Sequence, residues 1–319
     1  GTVKIAVGTH ALFSDDVEFQ NLGLVIVDEQ HRFGVAQRLA LKSKGRDVHQ
    51  LMMSATPIPR TLAMSFFADL DVSVIDELPP GRTPIKTRLV NNIRRAEVEG
   101  FVLNICRKGQ QAYWVCPLIE ESETLQLQTA TETLEQLQAA LPELNIGLVH
   151  GRMKAAEKAE VMAQFAAGHL NVLVATTVIE VGVDVPNAAL MVIEHAERMG
   201  LAQLHQLRGR VGRGAAESVC VLLFAEPLSE LAKARLKVIY EHTDGFEIAH
   251  QDLNIRGPGE FLGARQSGVP MLRFANLEED LHLLEQAREI APMLIEQNPE
   301  IVEAHLARWL SSREGYLGV

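Results

Sequence analysis

Leu22-Gly-Leu-Val-Ile-Val27 runs without a break into Asp28-Glu29-Gln30-His31, and the fold is read outward from this stretch. An apolar run of strand length that ends in two carboxylates places them at the carboxyl edge of a parallel sheet, the edge where open α/β folds bind ligands. One carboxylate there can hold a hydrated magnesium ion while its neighbour polarises an attacking water for phosphoryl transfer. An isolated acidic pair is more often a solvated turn, so the surrounding sequence has to decide.

On either side the pattern repeats. Val3–Val7 and Gln50–Met53 read as further short buried strands, separated by polar, helix-like stretches. Asp76-Glu-Leu-Pro-Pro-Gly-Arg-Thr-Pro84 carries three prolines and a glycine in nine residues; it can continue neither a helix nor a central strand and reads as a linker. After it, Ala112–Cys116, Ile146–His150, Val172–Ala175, Ala189–Ile193 and Val219–Phe224 are expected strands, and Thr131–Leu141 and Ala155–Ala167 have helical apolar spacing. Continuous apolar strands alternating with helices indicate an α/β class with parallel sheets covered on both faces. From Leu228 onward the pattern is mostly helical. The expected organisation is therefore an α/β domain at 1–78, a linker at 79–84, a second α/β domain at 85–228 and a helical C-terminal region at 229–319. The first domain is short for one with its own nucleotide site and opens inside a strand-like run, so it is expected to lack its N-terminal part.

The chain has 319 residues, 47% hydrophobic and 22% charged, which are ordinary globular values that argue against disorder. No apolar stretch reaches the roughly 18 residues of a membrane span. The start, Gly1-Thr2-Val3, shows neither an initiator Met nor a basic-then-apolar leader. Cys106, Cys116 and Cys220 lack C-x-x-C spacing, which argues against a disulfide framework or a structural zinc and fits a reducing cytosol. The net charge of −11 would ordinarily count against a nucleic-acid partner. Residues 109–151, with six acids and no Lys or Arg, and residues 276–304, with eight acids against Arg288, account for more than all of it and leave the remainder at +2. Arg198–Arg213 holds Arg198, Arg208, Arg210 and Arg213 with no acid, so net charge does not veto binding to one basic face.

Three further strings bear on chemistry. Ser54-Ala-Thr-Pro57 puts two hydroxyls at a strand end, where they can relay hydrogen bonds between a phosphate and a second ligand; alone, it is more often a turn and a helix cap. Val172–Ala175 ends in Thr176-Thr177, and hydroxyls and N–H groups at a strand-to-helix turn suit phosphate contacts. Gln206, Arg210 and Arg213 stand at i, i+4 and i+7, one face of an expected helix. Gly209 and Gly212 would cost that helix about 1 kcal/mol each while allowing another backbone to approach. Such a guanidinium face can stabilise charge on a transferring phosphoryl group, or lie on nucleic-acid phosphates, or simply be exposed.

Together, D-E-x-H after a strand, S-A-T about 25 residues on, Asn171-Val-Leu-Val-Ala-Thr-Thr-Val-Ile-Glu-Val-Gly-Val-Asp-Val-Pro-Asn187 and Gln203-Leu-His-Gln-Leu-Arg-Gly-Arg-Val-Gly-Arg-Gly214 resemble the motifs of superfamily 2 helicases. Val27-Asp-Glu-Gln-His-Arg-Phe-Gly34 and Ser54-Ala-Thr-Pro-Ile-Pro-Arg-Thr61 narrow the resemblance to the RecG family and its transcription-repair relative Mfd, and Gln30 with Cys116-Pro-Leu-Ile-Glu-Glu-Ser122 favours RecG. The resemblance implies RecA-like domains and an ATP- and Mg2+-dependent translocase on double-stranded DNA that remodels forks and Holliday junctions in recombination and repair. It further implies a monomer in the bacterial cytoplasm, associated with the nucleoid and not with a membrane.

By the same resemblance Asp28 holds Mg2+ through water and Glu29 acts beside it. Arg210 and Arg213 are arginine fingers, and Gln206, Gly182 and Asp184 approach the nucleotide. His31, Ser54 and Thr56 couple the sites, while Thr9, His150, Thr176 and Thr177 meet the DNA backbone. Gly245–Gly268, two helix-like pieces around Arg256-Gly-Pro-Gly259, resembles a translocation hairpin in which Arg256, Arg265 and Gln266 are the polar members. No G-x-x-x-x-G-K-[ST] occurs in the 319 residues, and nothing corresponds to the wedge domain of the family. The ATP site is therefore expected to be incomplete. An Mfd-type translocase and a truncated, non-catalytic DNA-binding module remain as alternatives.

Overall fold

Six runs of mostly β-branched and aliphatic residues pair in parallel to form the sheet that organises most of the chain. The computed structural model describes residues 3–14, 16–29, 44–45, 48–54, 71–77, 82, 84–116, 123–176, 185–214, 217–256 and 281–310. They belong to two compact units, one of Gly1–Pro57, Met64–Ala68 and Leu272–Val319, the other of Ile58–Ala63 and Asp69–Met271.

In the larger unit the strands are β3 (Lys86–Asn91), β4 (Gln111–Val115), β5 (Ile146–Val149), β6 (Val172–Ala175), β7 (Ala188–Ile193) and β8 (Val219–Phe224), in the spatial order β3-β8-β7-β4-β6-β5. Every pairing is parallel. The side-chain period of two divides the strands between two cores. Tyr113, Val115, Leu173, Met191, Ile193 and Leu222 enter one core, whereas Trp114, Val172, Val174, Leu190, Val192 and Val221 enter the other. Helices α1 (Arg95–Arg107) and α2 (Glu123–Ala140) cover the Trp114 face with Val98, Val102 and Leu137. The Tyr113 face is covered by α3 (Ala155–Ala166), α4 (Leu201–Arg208), α5 (Glu230–Glu241) and α6 (Gly245–Arg256). The α/β class with a parallel sheet, helices on both faces, is as expected from the sequence.

The first two helices of the helical region expected from 229 onward pack on the second domain. Leu236, Val238 and Ile239 of α5 and Ile248 of α6 lie in the Tyr113-face core, so these helices complete the second α/β layer. Strand β3 has no counterpart among the expected strands. Lys-Thr-Arg-Leu-Val-Asn alternates in exposure because it is an edge strand with one side toward solvent. Residues 257–268 of the expected hairpin, including Arg265 and Gln266, lie outside the described residues, and only its first helix, α6, is described.

In the smaller unit β1 (Leu24–Val27) and β2 (His49–Met52) pair in parallel, Val27 opposite Met52. Val25 and Val27 are buried while Leu24 and Ile26 are 56% and 57% exposed, so these strands are covered on one face rather than both. Val3–Val7, expected as a buried strand, forms none: no described strand pairs with it, and Val3, Ile5 and Val7 are at least 75% exposed. Apolar composition alone cannot make a strand without a ladder to join. Two further helices, α7 (Leu281–Gln297) and α8 (Pro299–Leu310), are joined at Asn298, whose N–H donates to Leu294 O at 2.8 Å. Among the described residues no helix is long and apolar enough to cross a membrane.

Phe165 is fully buried, its ring 4.9 Å from that of Tyr113 across the α3–β4 contact. Phe165→Ala is expected to cost about 3–5 kcal/mol in chemical denaturation, by loss of transfer energy and creation of a cavity.

Candidate functional site

Parallel pairing of β1 and β2 brings their carboxyl ends to one edge. Met53 N–H donates to Val27 O at 2.8 Å, so Asp28-Glu29 and Ser54 leave the sheet side by side. Asp28 is exposed, and its Oδ1 accepts the Glu29 N–H at 2.8 Å. Glu29 has φ 51°, a left-handed conformation that costs a non-glycine residue about 1 kcal/mol or more and turns the chain sharply off the strand. His31 and Thr56, expected beside these groups, lie outside the described residues. Thr9 is exposed and precedes a short 3-10 turn, His10–Phe13, without capping it through its side chain.

A second edge lies in the larger unit. Val149 pairs with Ala175, and Thr176 N–H donates to Val149 O at 3.2 Å, so His150 and Thr176 emerge next to each other at the carboxyl ends of β5 and β6. Thr176 is 4% exposed, and neither its Oγ1 nor His150 Nδ1 has a hydrogen-bond partner among the described residues. Buried polar groups are nearly always paired, because an unpaired one costs about 1–3 kcal/mol. Thr176 Oγ1 and His150 Nδ1 are thus two such groups at adjacent strand ends. Burial first, then Lys158 and Arg152, lower the His150 pKa, which keeps the ring neutral at neutral pH. Lys158 Nζ donates to Gly151 O at 2.8 Å, next to His150 in the chain, and α3 begins at Ala155. Thr177, Gly182 and Asp184 lie outside the described residues.

The segment expected to be one helical face is divided in two. Helix α4 ends at Arg208 with Gly209 as its cap, and Gly212 takes φ 80°. Gln206 is thus on the helix, whereas Arg210 and Arg213 sit on the turn that follows. The helical i, i+4, i+7 reading fails because Gly212 adopts a left-handed conformation that no α-helix contains. Close backbone approach falls at Gly214, where a Cβ would collide with the Pro186 carbonyl oxygen. Arg210 is partly buried and Arg213 exposed.

Arg208, counted with the basic stretch, is 3% exposed and donates to Ile239 O at 2.8 Å, His242 O at 2.9 Å and Thr243 O at 3.2 Å. It fastens α5 and the following loop to α4 and contributes nothing to a basic surface. His205 on the same helix has its pKa pushed down to about 4, by burial first and then by Arg208.

Sequence reasoning missed a buried ionic cluster at the same carboxyl edge. Glu194, directly after β7 and 5% exposed, accepts from Arg95 of α1, from Trp114 Nε1 at 2.9 Å and from Thr133 Oγ1 at 3.5 Å. The Arg95 guanidinium lies 5.1 Å from the Trp114 ring centroid. Burial, and after it Glu194, pushes the Cys116 thiol up to about 12, which keeps it protonated and unreactive. The one signal in the sequence was a glutamate ending an otherwise apolar strand, the same signal that flagged Asp28.

Residues 97–215 match the model of the helicase conserved C-terminal domain, residues 1–65 that of the DEAD/DEAH box helicase, and residues 242–310 that of the ATP-dependent DNA helicase RecG, domain 3, C-terminal. ATP-dependent DNA helicase RecG of Acidithiobacillus ferridurans is 58% identical over 99% of this chain and 46% of its own length. That of Escherichia coli K12 has the same identity and the same two coverages. A solved structure of RecG bound to a three-way DNA junction is 50% identical with a TM-score of 0.67, covering 89% of this chain and 36% of that one. The chain is thus homologous to RecG along nearly all of its length and has the parallel-sheet fold of RecA-like helicase domains, while spanning about half the length of the curated relatives it matches.

The depressed pKa of His205 makes stability depend on pH. Between about 6.5 and about 4 the unfolded chain binds a proton at this position that the folded chain excludes, so stability falls as pH is lowered through that window and His205 adds no further loss below it. Urea titrations from pH 7 to pH 4 are expected to show a loss assignable to this residue of at most about 3 kcal/mol, and His205→Gln should remove it.

Proposed function

We propose that this chain works as motor machinery of a RecG-type, ATP-dependent translocase that moves on double-stranded DNA and remodels forks and Holliday junctions. The observation that carries this reading is the pair of unpartnered groups, Thr176 Oγ1 and His150 Nδ1, at adjacent strand ends beside Lys158, Arg152 and the start of α3. A phosphodiester oxygen satisfies both groups without any reading of bases, which is what a motor tracking a backbone requires. The homology to RecG along the chain supports the same conclusion, and the match of residues 242–310 to RecG domain 3 favours it over an Mfd-type enzyme.

For nucleotide chemistry we assign Asp28 to a hydrated Mg2+ and Glu29 to the water. Among the described residues no group of three or more His, Cys, Asp or Glu side chains gathers to form a metal cage. One or two carboxylates with water and substrate phosphates are what Mg2+ ordinarily takes, so the Asp28-Glu29 edge fits it. The chemistry supplied by bound Mg–ATP is phosphoryl transfer to water. Arg210 and Arg213 neutralise charge that develops on the phosphoryl oxygens, Gln206 orients the nucleotide, and Ser54 links the carboxylate edge to the DNA-bound state. Gly182, Asp184, His31, Thr56, Thr9, Thr177, Arg256, Arg265 and Gln266 keep the roles that the family resemblance gives them. The protein acts as a monomer on branched DNA in the bacterial cytoplasm, at the nucleoid.

Thr176→Val tests the phosphate contact on the 319-residue chain. Replacing an orphaned hydroxyl with an isosteric methyl should leave stability unchanged or raised, yet weaken binding to a forked duplex about fivefold in fluorescence anisotropy. Unchanged binding would remove Thr176 from the DNA contact. Because the chain holds no G-x-x-x-x-G-K-[ST] loop, the 319 residues alone should show little DNA-stimulated ATP hydrolysis, and robust turnover would sink the proposed division of the ATP site.

A further inference from the structure

Arg82 belongs to the Pro/Gly-rich stretch that the sequence marks as a linker, yet its side chain has a specific partner 127 residues away: Nη2 donates to the carbonyl oxygen of Gly209 at 2.6 Å. Gly209 caps helix α4 and precedes Arg210. Carbonyls at a helix C-terminus have no intrahelical partner and carry the negative end of the helix dipole, so a guanidinium there makes a charge-assisted hydrogen bond in its favoured setting. The same peptide group is held from its other end, since Arg210 N–H donates to Leu207 O at 3.0 Å. Gly209 N–H in turn donates to His205 O at 3.0 Å. The plane that sets the direction of Arg210 is thus fixed on one side by α4 and on the other by Arg82. Beyond it Gly212, at φ 80°, turns the chain out of the helical path, so the direction in which Arg210 and Arg213 leave is set by the backbone at the start of the turn.

We infer that Arg82 is a positioning residue for the arginine turn, through its hydrogen bond to the Gly209 carbonyl. It holds the backbone from which Arg210 and Arg213 extend, so a displacement of the linker displaces the arginines with it. A lysine can reach the carbonyl with one charged donor but lacks the planar fork, and an alanine reaches nothing.

The functional half of the inference rests on the role proposed above for Arg210 and Arg213, and two readouts keep the two claims apart. Hydrogen–deuterium exchange on the 319-residue chain tests the positioning alone. In Arg82→Ala the amides of Arg210 and Val211 should exchange about tenfold faster, with strand β7 unchanged and Arg82→Lys partly restored. Unaltered exchange at these amides overturns the inference. Should Arg82→Ala fail to fold, Arg82→Lys is judged by the same amides, with an intermediate acceleration expected and none overturning it.

DNA-stimulated ATP hydrolysis by the full-length helicase carrying these residues tests the function. Arg82→Ala should lower kcat about tenfold with KM for ATP and Kd for a forked duplex within about twofold, and the Arg82→Ala/Arg210→Ala pair should be no worse than Arg210→Ala alone. A fall in kcat that adds to that of Arg210→Ala overturns the inference. Accelerated exchange without any ATPase in the unsubstituted enzyme overturns the functional role of the turn and leaves the positioning intact.

Discussion

Parallel pairing is the constraint from which everything else in this chain follows. When neighbouring strands run the same way, all their carboxyl ends meet one edge, and every connection must cross a face as a helix. In the six-stranded sheet the central strands β8, β7, β4 and β6 are buried between two cores, and Glu194, His150 and Thr176 all leave from the same edge. The two-stranded sheet of the smaller unit repeats the logic with Asp28-Glu29 beside Ser54. No residue needs its own device to reach the functional edge; strand direction delivers it.

That constraint also explains what the sequence made legible. Strands covered on both faces are continuous apolar runs, so β4 through β8 could be read to within a residue or two of their ends. Half-covered strands were harder. Strand β3 hides its pattern in Lys-Thr-Arg-Leu-Val because an edge strand alternates, while Val3–Val7 has strand composition without a partner ladder. Composition reports what a segment can bury, and pairing decides whether it does.

The arginine turn was legible as a constellation and misread as geometry. Spacing of i, i+4 and i+7 marks one helical face only if the helix continues, and Gly212 at φ 80° shows that it does not. Nor could the sequence divide the four basic residues of Arg198–Arg213 by use. Arg208 is spent on three carbonyls of α5 and its loop, and Arg198 lies 3.7 Å from Glu197. What makes an arginine structural is burial and partner type, both properties of the folded chain. Glu194 shows the same limit from the other sign: an acid ending an apolar strand reads like Asp28, yet Arg95 and Trp114 consume it.

The turn holds the arginines differently from the helix that the spacing suggested. On a helix, side chains at successive turns are fixed relative to one another, and moving one arginine requires moving the whole cylinder. On this turn, Arg210 and Arg213 extend from backbone that is anchored at its start by the Gly209 carbonyl. Packing holds that backbone through Leu204, Leu207 and Val211, all fully buried. Gly212 turns the chain off the helical path and Gly214 packs against the Pro186 carbonyl, while the Arg82 hydrogen bond at Gly209 fixes where the turn starts.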